Sequence, residues 1–200
     1  MIILGITGGI GSGKSYVTRI FGALGIPYYD SDNRTKQLYL EQPKLKKELS
    51  ALLGESIFTN EGLDTQRMAK LIFSNRELLK KVNFLVHPYV VRDFLQWAKP
   101  LQAPYVIFES AILLEMDPPF HTTRVLTVSA SREIRLRRAA GRDAVHRQSV
   151  LDRMDKQWTD VQREAGADFV IESNDRRALL PRVLEVHQTM LNIRTTNNEN

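Results

Sequence analysis

The residues with the clearest chemical pattern lie near the start of the chain, where Gly8 to Ser15 read GGIGSGKS. Their spacing, Gly-x-x-x-x-Gly-Lys-Ser, is typical of a loop that wraps phosphate groups between a strand and a helix. In such a loop, backbone N–H groups and the positive end of the helix bind phosphate oxygens. We therefore predict a nucleoside triphosphate here, with Lys14 on its β- and γ-phosphates and the Ser15 hydroxyl as a Mg²⁺ ligand.

The phosphate loop alone does not identify the reaction, because motors, switches and kinases all use one. A GTPase would usually carry an Asn-Lys-x-Asp motif, and the sequence contains none. A motor or regulatory ATPase would usually place an aspartate after an apolar strand, whereas the apolar run from Tyr105 ends in Glu109. The sequence therefore favours a small-molecule kinase, and a non-catalytic nucleotide switch or regulatory ATPase stays open as the alternative.

A second chemical pattern is the acidic pair Asp30 and Asp32, which ends the short stretch IPYYDSD. Ligands of doubly wound sheets bind at the carboxyl ends of the strands, so we expect this pair near the phosphates. One carboxylate could then hold Mg²⁺ or its waters, and the other could orient an acceptor hydroxyl and accept its proton. The alternative interpretation is that the pair caps the following helix, with Asp30 the more structural member.

Apolar strands that alternate with amphipathic helices predict a parallel α/β sheet. The expected strands are MIILGIT at 1–7, IPYYD at 26–30, YVIF at 105–108, RVLTVSA at 124–130 and ADFVIES at 167–173. The apolar residues after the phosphate loop have the spacing of one buried helix face: Val17, Ile20, Phe21 and Leu24. We expect Gly25 to end that helix and Pro88 to lie in the first turn of a new one.

Composition limits the class of protein and its partners. The 200 residues suffice for one sizeable domain with insertions, and the absence of cysteine excludes disulfides and thiolate metal sites. No apolar run reaches the ~20 residues of a membrane-spanning helix, so we expect a cytoplasmic protein with no membrane partner. Lys and Arg (28) outnumber Asp and Glu (23), and arginines concentrate at 132–163, where Trp158 is the one aromatic residue. Nucleic-acid binders more often interleave aromatic and basic residues, so we expect a polyphosphate small molecule and no nucleic acid.

Several motifs, taken in order along the chain, resemble the dephospho-CoA kinase family. They are GITGGIGSGKS at 5–15, DSD at 30–32, VHP at 86–88, GRD at 141–143 and ADFVIESN at 167–174. The resemblance implies a P-loop NTP hydrolase-type parallel sheet flanked by helices. It also implies transfer of the γ-phosphoryl group of ATP, with Mg²⁺, to the 3′-hydroxyl of dephospho-CoA, the last step of coenzyme A synthesis. Nucleoside monophosphate kinases and shikimate-type kinases remain alternatives within the kinase class.

The resemblance further implies how the chain divides. It places a discontinuous nucleotide-binding core at 1–32, 103–137 and 165–194, a helical acceptor-binding insert at 33–102, a lid insert at 138–164 and a disordered tail at 195–200. An arginine that arrives on lid closure would neutralise transition-state charge and help to exclude water. We expect a monomer, with an oligomer left open.

Residue by residue, the resemblance implies that Asp32 is the general base, assisted by Lys14 and by the lid residue Arg142. The ATP-binding residues that we predict lie in the loop, in the lid and after the last strand: Gly9, Ile10, Gly11, Ser12, Gly13, Lys14, Ser15, Tyr16, Arg138 and Asn174. The residues predicted to bind the acceptor are Asp30, Asp32, His87, Glu109 and Leu113, and those predicted to bind Mg²⁺ are Ser15 and Asp30.

Two positions depart from the family pattern. Many relatives have a PLLFE-like run where this chain reads AILLE at 111–115, so we expect the acceptor to be packed differently in detail. Tyr16 replaces a common threonine beyond the phosphate ligands, which predicts a change in packing without loss of chemistry. Because His87 precedes a proline, a helix-entry position is an alternative to its ligand role. The remaining arginines of the basic stretch are interpreted as solvated: Arg135, Arg137, Arg147 and Arg163.

Overall fold

The computed structural model describes residues 1–59, 62–143 and 147–197. The strands are β1 (Ile3–Thr7), β2 (Tyr28–Asp30), β3 (Phe58–Thr59), β4 (Gly62–Leu63), β5 (Val106–Glu109), β6 (Arg124–Ser129) and β7 (Phe169–Glu172). The α-helices are α1 (Lys14–Ala23), α2 (Ser31–Glu41), α3 (Pro43–Leu53), α4 (Thr65–Ser74), α5 (Arg76–Ala98), α6 (Arg132–Asp143), α7 (Arg147–Met154), α8 (Asp160–Ala165) and α9 (Leu180–Asn197). Short 3₁₀ helices span Glu55–Ile57 and Leu113–Glu115.

Five of these strands form one parallel sheet in the order β2-β5-β1-β6-β7. Every residue of β1 and β5 is buried, as expected for parallel strands covered on both faces. The sheet confirms the predicted class, a parallel α/β sheet flanked by helices. Because parallel strands end on one side of a sheet, the residues at and after Thr7, Asp30 and Glu109 lie at the same end.

Helix α1 packs on the sheet through the face that its spacing predicts. Val17 and Phe21 are fully buried, and Ile20 and Leu24 pack against the same apolar cluster. Gly25 ends the helix, as predicted: it has φ +83°, a conformation that favours glycine, and its N–H donates to the Gly22 carbonyl at 3.0 Å. Burial of this face fixes α1 on the sheet, and with it the phosphate loop that precedes α1.

The described chain divides into two compact units. The first comprises Met1–Asp30, Pro100–Glu115 and the chain from His121 onward, and it contains the five-stranded sheet. The second comprises Ser31–Lys99 and Met116–Phe120, with helices α2 to α5 and the β3–β4 hairpin. The second unit thus contains a segment, 116–120, that lies outside the predicted insert at 33–102.

Helix α5 is continuous from Arg76 to Ala98, with Pro88 in its interior, so the prediction that Pro88 starts a new helix is wrong. A proline inside a helix removes one hydrogen bond and costs about 3 kcal/mol. Buried apolar side chains recur on one face of this helix, at Val82, Val86, Val90 and Phe94. Burying each of them contributes about 1.5–3 kcal/mol, so tertiary packing outweighs the cost of the proline.

The predicted lid and tail contain regular helices where they are described. Helices α6, α7 and α8 lie in the first unit, and residues 144–146 between α6 and α7 lie outside the described part of the chain. Helix α9 extends to Asn197, so residues 195–197 of the predicted tail are helical. Residues 198–200 lie outside the part of the chain that the structure describes. Within the described ranges, no helix is both long enough and apolar enough to cross a bilayer.

Candidate active site

The phosphate loop between β1 and α1 is a tight turn that depends on glycine. The Ser12 N–H donates to the Gly9 carbonyl at 3.0 Å. Gly11 has φ +76° and Gly13 has φ +98°, conformations that residues with a Cβ atom rarely adopt. A Cβ atom at Gly11 would also collide with the carbonyl oxygen of Arg135. The loop therefore has the backbone form of an anion-binding turn.

The two loop residues with functional side chains, Lys14 and Ser15, meet at one buried carboxylate. Ser15 Oγ donates a hydrogen bond to Glu109 Oε1 at 2.7 Å, and Lys14 Nζ lies 3.4 Å from the same oxygen. Glu109 ends β5, the neighbour of β1, and its side chain is only 2% exposed. A buried carboxylate requires cationic or hydrogen-bonding partners, and here the phosphate loop supplies both kinds.

The acidic pair at the end of β2 is divided between the two units: Asp30 is the last residue of the strand, and Asp32 follows it. Asp30 is half-buried and pairs with Glu109 in the register of β2 and β5, so two carboxylates are neighbours at this end of the sheet. Asp32 belongs to the second unit, in the first turn of α2, and is exposed. An acid in a first turn interacts favourably with the helix dipole, so the helix-capping interpretation of Asp32 stays open beside the catalytic one.

Arg138 joins the phosphate loop to the segment that follows β7. Its Nη1 donates to the Ser12 carbonyl and to Ser173 Oγ, both at 3.1 Å, and its Nη2 donates to the Ser173 carbonyl at 3.1 Å. The hydrogen bond from Arg138 to Asp175 holds the pKa of that carboxyl below its usual range. We predicted that the Arg138 guanidinium binds ATP phosphates. In the structure it instead donates to the carbonyl oxygens of Ser12, in the loop, and of Ser173, after β7.

Arg135 and Gln157, which the sequence pattern leaves without a role, hold the backbone of Ile10. Arg135 Nε donates to the Ile10 carbonyl at 3.1 Å, and the Ile10 N–H donates to Gln157 Oε1 at 2.9 Å. The Arg135 side chain is 6% exposed, and its Nη1 lies 2.8 Å from Asp160 Oδ2. The interpretation of Arg135 as solvated is therefore wrong. Its partners Ile10 and Asp160 are distant in the chain, so no local pattern indicates its burial.

Arg163 is the second arginine whose solvated interpretation is wrong. It is 1% exposed, and its guanidinium lies 3.3 Å from both Glu115 Oε1 and Asp160 Oδ1. Burial lowers the pKa of the Arg163 guanidinium and raises that of the Glu115 carboxyl. The i, i+3 spacing of Asp160 and Arg163 indicates one of these pairs, but no local pattern indicates Glu115. Arg137 and Arg147 are exposed, as expected.

Two other residues predicted to bind ATP, Tyr16 and Asn174, and the predicted catalytic residue Arg142 have distinct surroundings. Tyr16 is 57% exposed, which agrees with a position beyond the phosphate ligands. Asn174 Oδ1 accepts hydrogen bonds from the backbone N–H groups of Arg176 and Arg177 at 3.1 and 3.2 Å, so it closes the turn after β7. Arg142 belongs to α6, but its side chain lies outside the described part of the structure.

Two residues predicted to bind the acceptor, His87 and Leu113, lie in different units. His87 is 7% exposed within α5, and neither of its ring nitrogens makes a hydrogen bond of standard geometry. Burial lowers the pKa of this imidazole, and the smaller opposing influence of Asp117 does not offset the effect. Leu113, which is 3% exposed, packs so closely on β1 that a Cβ atom at Gly5 would collide with it. Leu113 is therefore part of the packing of the first unit.

Comparison with known proteins covers nearly the whole chain. A profile of the dephospho-CoA kinase family matches residues 2–178. A dephospho-CoA kinase from Porphyromonas gingivalis is 39% identical over 191 residues, which are 95% of each chain. The crystal structure of TT1252 from Thermus thermophilus is 32% identical and has a TM-score of 0.82, with 94% of this chain and 96% of that chain covered. A shikimate kinase from Acinetobacter baumannii is 16% identical with a TM-score of 0.53, covers 96% of this chain and 94% of its own, and shares the fold alone.

These matches agree with the site. The family profile spans the phosphate loop, the strand that ends in Glu109 and all of the second unit. The ordered motifs, the contacts of Lys14 and Ser15 with a buried carboxylate, and similarity along nearly the whole length all indicate one assignment. The chain belongs to the dephospho-CoA kinase family.

Proposed function

We propose that this protein transfers the γ-phosphoryl group of ATP to the 3′-hydroxyl of dephospho-CoA, giving ADP and coenzyme A. The observation that carries the proposal is the convergence of Lys14 and Ser15 on the buried Glu109, in a chain whose family profile covers residues 2–178. The Porphyromonas gingivalis relative is named a dephospho-CoA kinase, and we extend that activity to this chain.

ATP binds through the phosphate loop in this proposal. Phosphoryl transfer needs little covalent help, so positioning and charge neutralisation account for most of the catalysis. Lys14 and Ser15 are the first two residues of α1, and backbone N–H groups at the N-terminus of a helix are suited to bind phosphate oxygens. The Lys14 ammonium, 17% exposed and beside Glu109, turns toward the β- and γ-phosphates when the nucleotide supplies a stronger negative charge.

The oxygen donors at this end of the sheet fit Mg²⁺. This ion prefers hard oxygen ligands and retains waters and phosphate oxygens, so it needs only one or two protein groups. Ser15 Oγ and Glu109 Oε1 are 2.7 Å apart, and Asp30 adds a carboxylate in register with Glu109. Among the described residues, no three or more His, Cys, Asp or Glu side chains cluster as an all-protein metal site. We propose that Ser15 and Asp30 hold the ion, which neutralises phosphate charge, and that Glu109 orients Ser15.

Asp32 is the proposed general base for the acceptor hydroxyl. It follows Asp30 by two residues, so its Cα lies within about 7 Å of the Asp30 Cα whatever the local conformation. Its side chain is exposed in the first turn of α2, and a carboxylate is a group that can accept the proton of a hydroxyl. The family resemblance of the DSD motif supports the same role.

The second unit is the proposed binding site for dephospho-CoA. His87 supports this assignment, because a buried imidazole whose nitrogens make no hydrogen bond of standard geometry gains from a polar ligand group. Its lowered pKa keeps the ring neutral at pH 7, so one nitrogen can donate and the other accept. Glu109, which we predicted among the acceptor-binding residues, instead has contacts that favour a role with the phosphate loop.

Residues 138–164 are the proposed lid, and Arg142 is the residue proposed to neutralise transition-state charge. Arg142 follows Arg138 by four residues in α6, so both positions lie on one side of that helix. Arg138 already contacts the loop, which supports a site near the phosphates for the next turn. We also propose a cytoplasmic location, where ATP is available, and a monomeric state, which light scattering of the purified protein would test.

The test is an acceptor competition with the purified protein, ATP and Mg²⁺. Dephospho-CoA, AMP, CMP and shikimate are supplied in separate reactions; mass spectrometry follows the acceptor and a coupled assay follows ADP. We expect one coenzyme A for each ADP with dephospho-CoA, and unchanged masses for the three rivals. Phosphorylation of a rival instead would reject the acceptor assignment. ADP formed without any phosphorylated acceptor would reject the kinase assignment and favour a nucleotide switch.

A further inference from the structure

The peptide groups of Ile10, at the apex of the phosphate loop, are held from both sides. The Ile10 carbonyl accepts from Arg135 Nε at 3.1 Å, and the Ile10 N–H donates to Gln157 Oε1 at 2.9 Å. We propose that Arg135, Gln157 and Asp160 form a clamp that fixes the phosphate loop in its ATP-binding conformation. They are positioning residues: the clamp acts on the loop, and the loop acts on ATP. The inference rests on ATP being the phosphoryl donor.

The Arg135 side of the clamp depends on the planar shape of the guanidinium. Nε contacts Ile10, while Nη1 lies 2.9 and 2.8 Å from the two carboxylate oxygens of Asp160. Because these nitrogens share one rigid plane, Asp160 sets the direction in which Nε points. A Cβ atom at Gly9 would collide with the guanidinium, so the loop sequence leaves room for this arginine.

The Gln157 side of the clamp is held in place by two ion pairs of Arg163 and by one backbone hydrogen bond. Asp160 Oδ1 also contacts Arg163 Nη1 at 3.3 Å, and Arg163 Nη2 lies 3.3 Å from Glu115 Oε1. The same Glu115 oxygen accepts from the Trp158 N–H at 3.2 Å, next to Gln157. The segment 157–163 is therefore anchored to the 3₁₀ helix that follows β5, and Gln157 is held at a fixed place against the loop.

The clamp has a direct consequence for ATP binding. A loop whose apex is free samples many conformations, and ordering it on binding lowers affinity. Side chains that already hold both polar groups of Ile10 reduce this cost and aim the remaining loop N–H groups before the nucleotide arrives. Removing either side of the clamp should weaken ATP binding and leave the affinity for the acceptor unchanged.

The experiment measures ATP affinity by calorimetry with Mg²⁺ and, in parallel, KM for each substrate. The variants are Gln157→Leu and Arg135→Gln; the matched controls are Gln148→Leu and Arg132→Gln, exposed residues whose side chains pair with Asp152 and Asp155. We expect each clamp variant to weaken ATP binding about tenfold, the scale of one lost strong hydrogen bond, with KM for dephospho-CoA unchanged. A purely structural defect would lower the active fraction, hence kcat, and leave the ATP affinity of the folded protein intact.

Two further variants separate geometry from charge and stability. Arg135→Lys keeps the charge but cannot reach Ile10 and Asp160 together, so we expect it to bind ATP as weakly as Arg135→Gln; wild-type affinity would overturn the clamp. The double variant Arg135→Gln/Gln157→Leu tests whether the two sides act together. If they do, its fold-loss of ATP affinity should be smaller than the product of the fold-losses of the two single variants. A fully multiplicative loss would contradict it.

The outcomes distinguish this inference from the proposed function. Wild-type protein that binds ATP but leaves dephospho-CoA unphosphorylated would reject the function, while the affinities of the variants would still decide the clamp. Unchanged ATP affinity in Gln157→Leu would overturn the clamp whatever the acceptor is. If Arg135→Gln fails to fold because it leaves Asp160 without its main partner, the half-buried Gln157 provides the deciding variant.

Discussion

The Ser15 hydroxyl donates a 2.7 Å hydrogen bond to Glu109 Oε1, which joins the phosphate loop to β5 at the point where the loop becomes helix α1. Lys14 Nζ lies 3.4 Å from the same oxygen. One buried carboxylate therefore positions both side chains that the loop offers to a nucleotide.

Glu109→Gln should lower kcat by about 10²-fold, the usual scale for loss of one preorganised electrostatic group. The amide retains an acceptor oxygen for Ser15 but loses the negative charge beside Lys14. Steady-state rates and thermal unfolding of the variant are the measurements. The matched control is Glu185→Gln, on an exposed turn of α9, which should retain wild-type rates. A near-normal kcat in Glu109→Gln would remove this carboxylate from the catalytic site.

Asp32→Asn should preserve ATP binding and reduce turnover at least ~10²-fold, as expected when a general base is lost. The substitution is nearly isosteric on an exposed first turn, so the fold should be unaffected. Calorimetry gives ATP affinity, and single-turnover kinetics give the chemical step. Asp152→Asn, at an exposed position in α7, is the control. If Asp32→Asn turns over at the rate of this control, the helix-capping interpretation stands alone.

His87 should make the protein sensitive to acid. Burial lowers its pKa below 6.5 in the folded state, so the unfolded chain takes up the proton first as the pH falls. The unfolded state then binds more protons, and the free energy of unfolding decreases below about pH 6.5. Above that pH both states are neutral and the contribution disappears.

The variant His87→Phe removes this titration, so we expect a smaller decrease in unfolding free energy between about pH 6.5 and 5. Urea unfolding at several pH values measures it, with equal m-values as the control for an unchanged folded state. Identical pH dependence in the two proteins would refute the assignment.

Two glycines offer a paired test of backbone conformation. A Cβ atom would meet open space at both Gly141 and Gly25, but Gly25 has φ +83° and Gly141 lies inside α6. Gly141→Ala should raise the free energy of unfolding by about 0.5–1 kcal/mol, because alanine is the better helix former. Gly25→Ala should lower the unfolding free energy by a comparable amount, since alanine is strained in that conformation. Chemical denaturation of both variants would decide; a shift of the same sign in each would contradict the argument.

Local patterns were sufficient to predict the strands and the helix that surround the phosphate loop. Each of these patterns involves only residues that are close together in the chain. They are the glycine spacing around Lys14, the apolar runs of the strands and the helical spacing from Val17 to Leu24. The structure bears out the parallel sheet and helix α1 that these patterns predict.

Contacts between distant segments could not be predicted from such patterns. Arg135 and Arg163 look like solvated charges in the sequence, but they are buried because Asp160 and Glu115 neutralise them. The proline in α5 misled the helix prediction for a related reason: the packing that compensates it comes from other helices. Burial of charge and tolerance of a helix breaker are both decided by tertiary structure.

The pairing of β2 with β5 spans a long separation in the chain, because Asp30 pairs with Glu109 while the whole segment 31–105 lies between the two strands. Closing a chain segment costs conformational entropy, and this free-energy cost grows only logarithmically with the length of the segment, by about 0.6 kcal/mol for each doubling. Insertions or deletions in the helical unit would therefore cost the sheet little stability. A protein built this way can change the size of its second unit during evolution while the sheet that carries the phosphate loop stays the same.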